Sequence, residues 1–204
     1  IGGIGLGMRL LFDHSKSGVD AFSPENPLVL ATGPLSGTIA PTGGNGHAFV
    51  SKSPLTQGLG EAKAHGFFGS ELKRAGYDAV VFENRSEKTV YVWIDDDNIQ
   101  LMDAKHIWGK SPQETEELIR KEMNDYYIRV ASIGIAGEKL SRIACIMNDR
   151  TRAAGRTGMG GVMGSKNLKA IAVRGTQDVS IAKPEEFLEF VKMLHERMKG
   201  PATT

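Results

Sequence analysis

Clustered glycines constrain the fold of this chain more than any other feature of its sequence. The 204 residues include 25 glycines, well above the ordinary share of about 7%. They lie mainly in groups between patterned segments, which indicates shaped loops rather than disorder. One group, from Arg152 to Gly161, carries two arginines. Glycine lets backbone N–H groups approach a ligand closely, and guanidinium groups bind phosphate or carboxylate through paired donors. This loop, and the helix start that follows it, therefore predict an anionic ligand.

Two interpretations of this arginine–glycine loop stay open on spacing alone. Arg152 and Arg156 can bind a ligand, or they can simply bridge surface carboxylates. The glycine-rich loop from Pro41 to Gly46 echoes the first one. This second loop makes ligand binding the favoured interpretation.

The overall composition excludes several classes of protein. A formal net charge of +1 argues against a nucleic-acid-binding module, which normally carries a basic face. No apolar run approaches the ~20 residues that a membrane-spanning helix needs, and no signal-peptide pattern is present. The one cysteine, Cys145, makes a disulfide framework impossible, which suits a reducing cytoplasm. Because the chain opens with Ile1 inside a glycine motif, we expect a domain of a longer enzyme.

Periodicity and turn residues predict alternating helices and strands. The predicted helices cover Met8 to Phe12, Gly66 to Ala75, Pro112 to about Asn124, Gly160 to Asn167, and a last segment with Phe187, Phe190, Val191, Leu194 and Met198 on one face. The predicted strands cover Leu28 to Ala31, Ala48 to Val50, Tyr77 to Glu83, Thr89 to Asp95, Ile128 to Ile133, Arg142 to Met147 and Lys169 to Arg174. The polar residues from Asn84 to Lys88 predict a hairpin between the third and fourth of these strands.

Two stretches of the chain repeat one order of elements. Gly33 to Gly37 and Gly134 to Gly137 each follow a strand, and each is followed by a strand, a glycine-rich loop and a helix. The helices are predicted to begin at Gly69-Ser70 and Gly164-Ser165. The repeat predicts an α+β fold in which a β-loop-α-β unit is duplicated, so that the glycine loops of two halves line one broad surface. Chance similarity between small-residue loops is the alternative.

Common catalytic and nucleotide-binding motifs are incomplete. The N-terminal glycines lack the third glycine of a dinucleotide fingerprint, and no Gly-Lys-Ser/Thr makes a P-loop. The five histidines have no metal-ligand spacing, although His65 lies in a loop beside a predicted helix start. Asp95 to Asn98 lacks the glycine and closing glutamate of a calcium loop, so it predicts a hairpin turn. No nucleophile–base pair is recognisable, which leaves ligand binding as the role that the sequence supports.

Six phrases occur in a fixed order along nearly the whole chain, from Gly2 to about Gly175. They are Phe22 to Asn26, Ala31 to Thr38, Ser51 to Thr56, Gly69 to Asp78, Asn148 to Arg156 and Gly164 to Ala170. Together they resemble the N-terminal domain of the aldehyde:ferredoxin oxidoreductases, the tungsten–pterin enzymes. Such an ordered set is specific for the family and says much less about the substrate.

The resemblance implies two pseudo-symmetric β-rich halves that form a saddle under a tungsten (or molybdenum) bis-pyranopterin cofactor, with magnesium bridging the phosphates of the two pterins. It also implies a [4Fe-4S] cluster held by later domains, since Cys145 stands alone here. We therefore expect residues 1–182 to form the pterin-binding domain, and residues 183–204 to form an amphipathic helix leading to those domains. The fragment alone is expected to be inactive, and the full-length protein to be a cytoplasmic homo-oligomer.

The resemblance also assigns a set of site residues. Arg152, Ala153, Gly155 and Arg156 match the pterin-binding loop of the family. The two arginines would hold phosphate or pterin polar groups, while the backbone at the two small residues would approach the cofactor closely.

Three further candidate positions depart from the family pattern. Asn45 stands where archetypal members carry an arginine, Lys63 where they carry an asparagine, and His65 where they carry a glycine. These substitutions separate the chain from the archetypal aldehyde enzymes. Lys63 is expected to supply part of the missing positive charge near a phosphate.

The family implies oxidation of an aldehyde with water to a carboxylic acid, with electrons passed through iron–sulfur to ferredoxin. The partners would be ferredoxin and a small aldehyde, with no nucleic acid and no membrane. Two alternatives stay open. One is the same cofactor in another low-potential reaction, such as reduction of an aromatic acyl thioester (an acyl-CoA). The other is a non-catalytic binding or scaffold module.

Overall fold

A four-stranded β-sheet forms the first half of the protein. The computed structural model describes residues 2–41 and 44–199. The chain begins with helix α1 (Gly3–His14), followed by β1 (Leu28–Thr32), β2 (His47–Lys52), β3 (Leu59–Ala64), α2 (Phe68–Arg74) and β4 (Ala79–Phe82). The strands pair antiparallel in the order β3-β2-β1-β4.

A six-stranded sheet forms the second half. Its elements are β5 (Val90–Asp95), β6 (Asn98–Asp103), α3 (Pro112–Glu122), β7 (Arg129–Ser132), α4 (Ile135–Glu138), β8 (Ile146–Asn148), β9 (Arg152–Ala154), α5 (Met159–Ser165), β10 (Leu168–Arg174) and, beyond the sheet, α6 (Pro184–Met198). The strand order is β6-β5-β10-β7-β8-β9. All neighbours are antiparallel except β5 and β10, which are parallel.

The two sheets contain the same folding unit twice. The first unit runs β1, β2, β3, α2, β4, and the second runs β7, β8, β9, α5, β10. In both units the spatial order is third, second, first and fourth strand, with antiparallel neighbours. The predicted duplication is therefore confirmed, as a β-β-β-α-β unit. The β5–β6 hairpin and α3 are inserted between the two units, and β5 extends the second sheet beside β10.

The predicted hairpin across Asn84 to Lys88 is wrong. Within the described chain, β4 pairs with β1 alone, whereas β5 pairs with β6 and β10. The polar residues between them therefore carry the chain from one sheet to the other. The hairpin turn predicted at Asp95 to Asn98 is present, since these two residues pair and Asp96 adopts a φ of 47°. Asp tolerates the left-handed region better than most residues.

The two halves share one hydrophobic core. Its buried members come from both sheets and both repeated helices, and include Leu30, Phe49, Leu72, Val162 and Ile171. Helix α2 packs against β7 and β10 of the second half, while α5 packs against β1, β2 and β3 of the first. Because each helix covers strands of the opposite half, the two units cannot bury their apolar faces separately.

Predicted helix ends are confirmed at two places. The Ser111 hydroxyl accepts a hydrogen bond from the backbone N–H of Glu114, and the Glu114 carboxylate accepts one from the backbone N–H of Ser111, which makes a capping box at the start of α3. Gly76 follows α2 with a φ of 91°. Backbone N–H groups of Gly76 and Tyr77 donate to carbonyls of the last turn of α2, which is the arrangement of a Schellman motif.

The predicted helix start at Gly164-Ser165 is wrong, because these residues close α5. The counterpart of Gly69 in α2 is Gly160 in α5. An added Cβ at Gly69 would lie 3.1 Å from the carbonyl oxygen of Gly46, just before β2. At Gly160 it would lie 2.3 Å from the carbonyl oxygen of Cys145, just before β8. The repeat is thus correct in its elements and displaced by about one helical turn in its sequence register.

Helix α6 leaves part of its predicted apolar face exposed, while Phe187 and Leu194 are half-buried. Val191 is buried, but Phe190 is 55% exposed and Met198 is 42% exposed. Core packing therefore accounts for Val191, and a docking role for the other side chains stays a prediction, as does the domain boundary at residue 182. Within residues 2–41 and 44–199, no helix combines the length and the apolar composition needed to cross a bilayer.

Candidate functional site

The arginine–glycine loop and the segment around Lys63 occupy equivalent places in the two halves. β3 ends at Ala64 and β9 ends at Ala154, and each of these buried alanines pairs with the first residue of the preceding strand. A short loop then leads into α2 or α5. Lys63 and Ala153 are therefore equivalent residues, each one position before the last residue of its strand.

This equivalence corrects the predicted echo of the arginine–glycine loop. Its counterpart is the loop from Lys63 to Gly66, and not the segment from Pro41 to Gly46. Thr42 and Gly43 of that segment lie outside the described residues. Two of the family-derived candidates, Lys63 and His65, fall in the counterpart loop.

Hydrogen bonds join the two equivalent loops at one junction. The Asp149 carboxylate, in the turn between β8 and β9, accepts hydrogen bonds from the backbone N–H groups of Phe67 (2.7 Å) and Phe68 (3.3 Å) at the start of α2. The Asn148 side-chain amide donates to the carbonyl of His65 at 2.9 Å. The Thr157 hydroxyl donates to a carbonyl of β3 at 3.0 Å. Asp149 therefore caps a helix of the first half from the second half.

Four basic side chains stand exposed at this junction. They are Lys63, His65, Arg152 and Arg156, and none of them makes an ion pair or a side-chain hydrogen bond within residues 2–41 and 44–199. By contrast, Arg120, Arg129, Arg150 and Arg174 all contact carboxylates. Among the described residues, Arg152 and Arg156 therefore do not bridge surface carboxylates, and their role in ligand binding stays a prediction. A group of exposed basic side chains without ion-pair partners in the described structure attracts an anion.

A cavity of about 320 Å³ opens beside Lys63 and His65. Its other walls are the first turn of α1, Gly33 and the start of β2. Helix α1 has 12 residues, no side-chain cap at Gly2 and no acidic residue in its first turn. Its first N–H groups have no partner inside the helix and carry the positive end of the helix dipole. The cavity therefore combines a helix N-terminus with two basic side chains, which is an arrangement that favours phosphate or another anion.

His47 lies in the wall of this cavity and is 3% exposed. Its ring packs against Phe49 and Phe68, with ring centroids 5.8 Å and 5.1 Å away. Neither ring nitrogen has a hydrogen-bond partner in the described structure. Burial lowers the pKa of His47 to about 4, while Asp149 acts to raise that pKa and His65 to lower it. At neutral pH the uncharged ring offers one donor and one acceptor.

No sequence pattern could single out His47, because only the folded chain shows that its ring nitrogens are buried without partners. For the first turn of α1 a signal existed. The run Gly2-Gly3-Ile4-Gly5 has neither a capping side chain nor an acidic residue, which marks a helix start open to an anion. This signal is easily overlooked, because the same glycines do not complete a dinucleotide fingerprint.

The remaining predicted residues do not line this cavity. Ala153 is exposed on β9, where it pairs with Met147. Gly155 is exposed, and an added Cβ there would meet only Ala153, at 3.7 Å. Neither packing nor backbone conformation therefore requires glycine at this position. Asn45 is exposed beside Gly46, which does line the cavity.

The glycines that follow the arginines serve packing. Gly158 adopts a φ of 77°, and an added Cβ would lie 2.1 Å from the carbonyl oxygen of Arg142. At Gly161 it would lie 2.6 Å from the carbonyl oxygen of Ser141. The N–H of Gly160 donates to a backbone carbonyl at 2.9 Å, and every residue of α5 is buried. The prediction that this helix start offers free amides to an anion is therefore wrong.

Other features of the described residues do not compete with this site. A cavity of about 460 Å³ lies between α1 and β3, and its walls are mainly apolar, with Leu11, Phe12 and Leu59 among them. It contains none of the predicted site residues. Within the described ranges, no group of three or more His, Cys, Asp or Glu side chains is placed to hold a metal ion.

Comparison with known proteins identifies relatives of the whole chain. Residues 1–175 match the family model "Aldehyde ferredoxin oxidoreductase, N-terminal domain". The chain is 53% identical over 94% of its length to a tungsten-containing aldehyde ferredoxin oxidoreductase of Pyrococcus furiosus, and 50% identical over 94% to one of Thermococcus kodakarensis. It covers 32% of each of these proteins. The chain therefore spans about a third of the length of these curated relatives.

A solved structure confirms the fold. The active site complex BamBC of benzoyl coenzyme A reductase, determined with 1,5-dienoyl-CoA, contains a chain that superposes with a TM-score of 0.93. The identity is 42%, and the match covers 97% of this chain and 30% of that one. The predicted α+β class with two duplicated halves agrees with this neighbour.

Proposed function

The chain belongs to the aldehyde ferredoxin oxidoreductase family, of which it is the N-terminal domain, and from this we propose that it forms one wall of the binding site for a tungsten (or molybdenum) bis-pyranopterin cofactor. The observation that carries the proposal is the set of four exposed basic side chains, at equivalent strand ends and the loops after them, that have no ion-pair partner among the described residues. The relatives are themselves named tungsten-containing.

The chemistry of the junction fits the phosphate ends of such a cofactor. Arg152 and Arg156 offer planar, paired donors for phosphate or pterin oxygens. Lys63 and His65 add two further cationic or donor groups at the cavity that also holds the first turn of α1. The unpaired nitrogens of His47 would gain partners from a ligand or from water beside it. These features all favour an anion with several acceptor oxygens.

The roles of this chain are binding and orientation. A bound cofactor supplies the redox chemistry. Arg152 and Arg156 would bind its phosphate or pterin polar groups, and the exposed backbone at Ala153 and Gly155 would allow close approach. Lys63 places a positive charge where the family pattern has a neutral amide. Asn45 can offer a neutral hydrogen-bonding group at the mouth of the cavity.

Magnesium and iron–sulfur enter the proposal differently. Magnesium usually keeps several waters and binds substrate phosphates through few protein ligands. Since the described residues provide no cluster of acidic side chains for it, phosphate oxygens and water would be its principal ligands here. A [4Fe-4S] cluster needs four cysteine ligands in its usual form, and this chain has one cysteine. That cluster would therefore be held by residues outside these 204.

The activity proposed for the full-length protein is oxidation of a small aldehyde to a carboxylic acid, with ferredoxin as electron acceptor. The names of the tungsten-containing relatives support this reaction. A cytoplasmic location and a homo-oligomeric full-length protein stay predictions from the family resemblance.

A second candidate function is reduction of an aromatic acyl-CoA. The structural neighbour from benzoyl coenzyme A reductase, at a TM-score of 0.93, favours it. The N-terminal wall would serve either reaction, because it binds cofactor and not substrate. Assays of the full-length protein with an aldehyde plus an artificial electron acceptor, and separately with benzoyl-CoA plus a low-potential donor, distinguish the two.

Metal analysis of the full-length protein, purified anaerobically, tests the cofactor site. We expect tungsten or molybdenum in the wild-type protein. Arg152→Met and Arg156→Met each remove a charge-assisted contact worth roughly 1.5–3 kcal/mol, so metal and pterin content should fall about tenfold or more. Lys63→Ala should lower the content as well.

Arg197→Met is the matched control, because it removes an exposed charge from α6. Circular dichroism verifies that each variant is folded. If all three site variants retained as much tungsten and pterin as Arg197→Met, these side chains would have no part in cofactor binding. Absence of both metals from wild-type protein despite their supply would defeat the proposal as a whole.

A further inference from the structure

Two buried lysines near the end of α5 have different partners. The ammonium of Lys169 donates to two backbone carbonyls and to the carboxylate of Glu138, all within 2.7 Å. Lys166 is 4% exposed, and its nitrogen donates to the carbonyl oxygens of Asn84 (3.0 Å) and Pro24 (3.4 Å). Within the described residues, no carboxylate lies within ion-pair distance of Lys166. Only one of the two buried lysines therefore has its charge compensated.

The partners of Lys166 match an uncharged amine. A protonated lysine has three N–H donors, whereas a neutral amine has two donors and one lone pair. Two carbonyl acceptors use both donors of the neutral form and leave its lone pair free. A buried ammonium without an anionic partner is costly, so this environment disfavours the charged form.

Arg85 strengthens this effect. Its guanidinium donates to the carbonyls of Ser165 and Phe22, which fixes a permanent positive charge beside Lys166. Three of its five N–H donors remain available. Glu83 is the opposing charge that faces Lys166, and its carboxylate is bonded to His14 at 2.9 Å.

Lys166 lines a cavity of about 350 Å³ at the crossing between the two sheets. The apolar part of its wall comes from β4, β5, β6 and β10, with Phe82, Val92 and Leu101 among the residues, and polar residues after β4 complete it. Arg85 also lines it. A small apolar molecule with one hydrogen-bond acceptor suits such a space, because much of the wall is apolar and Arg85 and Lys166 supply N–H donors.

We propose that Lys166 is a carbonyl-reactive amine that forms an imine with a small apolar aldehyde entering this cavity. The lone pair of the nitrogen attacks the carbonyl carbon, and a proton moves from nitrogen to oxygen to give a carbinolamine. Loss of water then forms the C=N bond, so one water leaves for each imine made. The free N–H groups of Arg85 can hydrogen-bond the carbonyl oxygen during the attack. A desolvated lysine beside a second cation is a recognised type of nucleophilic amine.

The acid–base behaviour of the side chain supports this role. Burial and the neighbouring Arg85 lower the pKa of Lys166 to about 8, against the weaker opposite effect of Glu83. At pH 7 its neutral fraction is therefore about 10%, some 300-fold above that of a lysine with an ordinary pKa. The reaction needs neither tungsten nor pterin, so it is independent of the cofactor-binding proposal.

Reductive trapping with peptide mapping tests the proposal. Full-length protein is incubated with limiting benzaldehyde and cyanoborohydride, without an electron acceptor, so that any imine becomes a stable secondary amine. We expect the peptide containing Lys166 to be labelled at least 10-fold faster than exposed lysines at pH 7.5, with half-maximal rate near pH 8. Lys169, buried and paired, should stay unlabelled.

Two variants sharpen the assignment. Lys166→Arg keeps a positive charge and should lose the adduct. Arg85→Met should raise the pH at which the rate is half-maximal, because it removes the like charge. The proposal is overturned if Lys166 reacts no faster than exposed lysines, or if its rate continues to rise beyond pH 10. Since these outcomes are read on wild-type protein, poor folding of a variant does not affect them.

Discussion

Replacing His47 with leucine tests the electrostatics of the candidate site. The ring of His47 is buried among aromatic side chains, and both nitrogens lack partners in the described structure. Its pKa is about 4 in the folded protein, because burial disfavours the charged ring. In the unfolded chain an ordinary pKa of about 6.5 applies. Leucine has a similar volume and cannot take up a proton.

The sign of the pH effect follows from proton binding. Between pH 6.5 and pH 4 the unfolded chain is protonated at His47 and the folded protein is not, so acid stabilises the unfolded state. The folded state therefore loses stability as pH falls through this window. The difference of about 2.5 pKa units corresponds to a total of roughly 3 kcal/mol, of which about 2 kcal/mol is lost between pH 7 and pH 5.

Urea unfolding of the cofactor-free protein at pH 7 and pH 5 measures this effect. At pH 7 we expect His47→Leu to be within about 1 kcal/mol of wild type, because the lost ring packing is offset by removal of two unpaired polar atoms. The free energy of unfolding of the variant minus that of wild type should be about 2 kcal/mol higher at pH 5 than at pH 7. Equal m-values at both pH values validate the comparison.

His195→Leu is the matched control, since His195 is exposed on α6. Its free energy of unfolding relative to wild type should change by less than about 0.5 kcal/mol between the two pH values. A wild-type-minus-His47→Leu difference that is the same at pH 7 and pH 5 would refute the reasoning. It would mean that the ring is hydrated or paired, and that the cavity wall is not as described.

Two further sets of variants probe the scaffold. Lys169→Met should destabilise the protein by about 3–5 kcal/mol in urea unfolding, because it leaves the buried Glu138 carboxylate without its cation. The double variant that also carries Glu138→Gln should recover at least ~1 kcal/mol of this loss. Strictly additive effects of the two substitutions would contradict the coupling. Gly160→Ala should lower the free energy of unfolding by about 3 kcal/mol or more, since its Cβ would lie 2.3 Å from the Cys145 carbonyl oxygen. Gly155→Ala should change the free energy of unfolding by less than about 1 kcal/mol in thermal unfolding and act on cofactor content alone. Similar stabilities for the two variants would contradict the assigned roles.

Sequence patterns predicted local elements better than their pairing. The capping box at Ser111 and the glycine closure at Gly76 depend on side-chain and backbone chemistry within a few residues, so they are legible in one sequence. The hairpin across Asn84 to Lys88 was wrong because two neighbouring apolar runs look alike whether they pair with each other or with distant strands. Choosing between these requires knowing that β1 and β10 lie beside them, which no local pattern contains.

In the candidate site, too, some residues can be predicted from local sequence and others only from the tertiary structure. Arg152 and Arg156 could be selected from residue type, because guanidinium groups among small residues suit anions wherever the loop lies. The sequence could not predict that His47 and the first turn of α1 lie beside Lys63, because only the folded sheet brings them to one cavity.

The duplication explains why the segment from Arg152 to Gly161 contains both basic residues and glycines needed for packing. In each half, an edge strand (β3 or β9) ends in a loop that must turn into a helix packed on the opposite sheet. That packing demands close backbone approach, which Gly160 provides in α5 and Gly69 provides in α2. The basic residues nearby are free of this demand, because the side chains of Lys63, His65, Arg152 and Arg156 lie exposed at the junction of the two halves. Basic side chains can therefore gather there without disturbing the core, and the shared core holds both loops at a fixed separation. The proposed anion site is in this sense a consequence of building the domain from two interlocked copies of one unit.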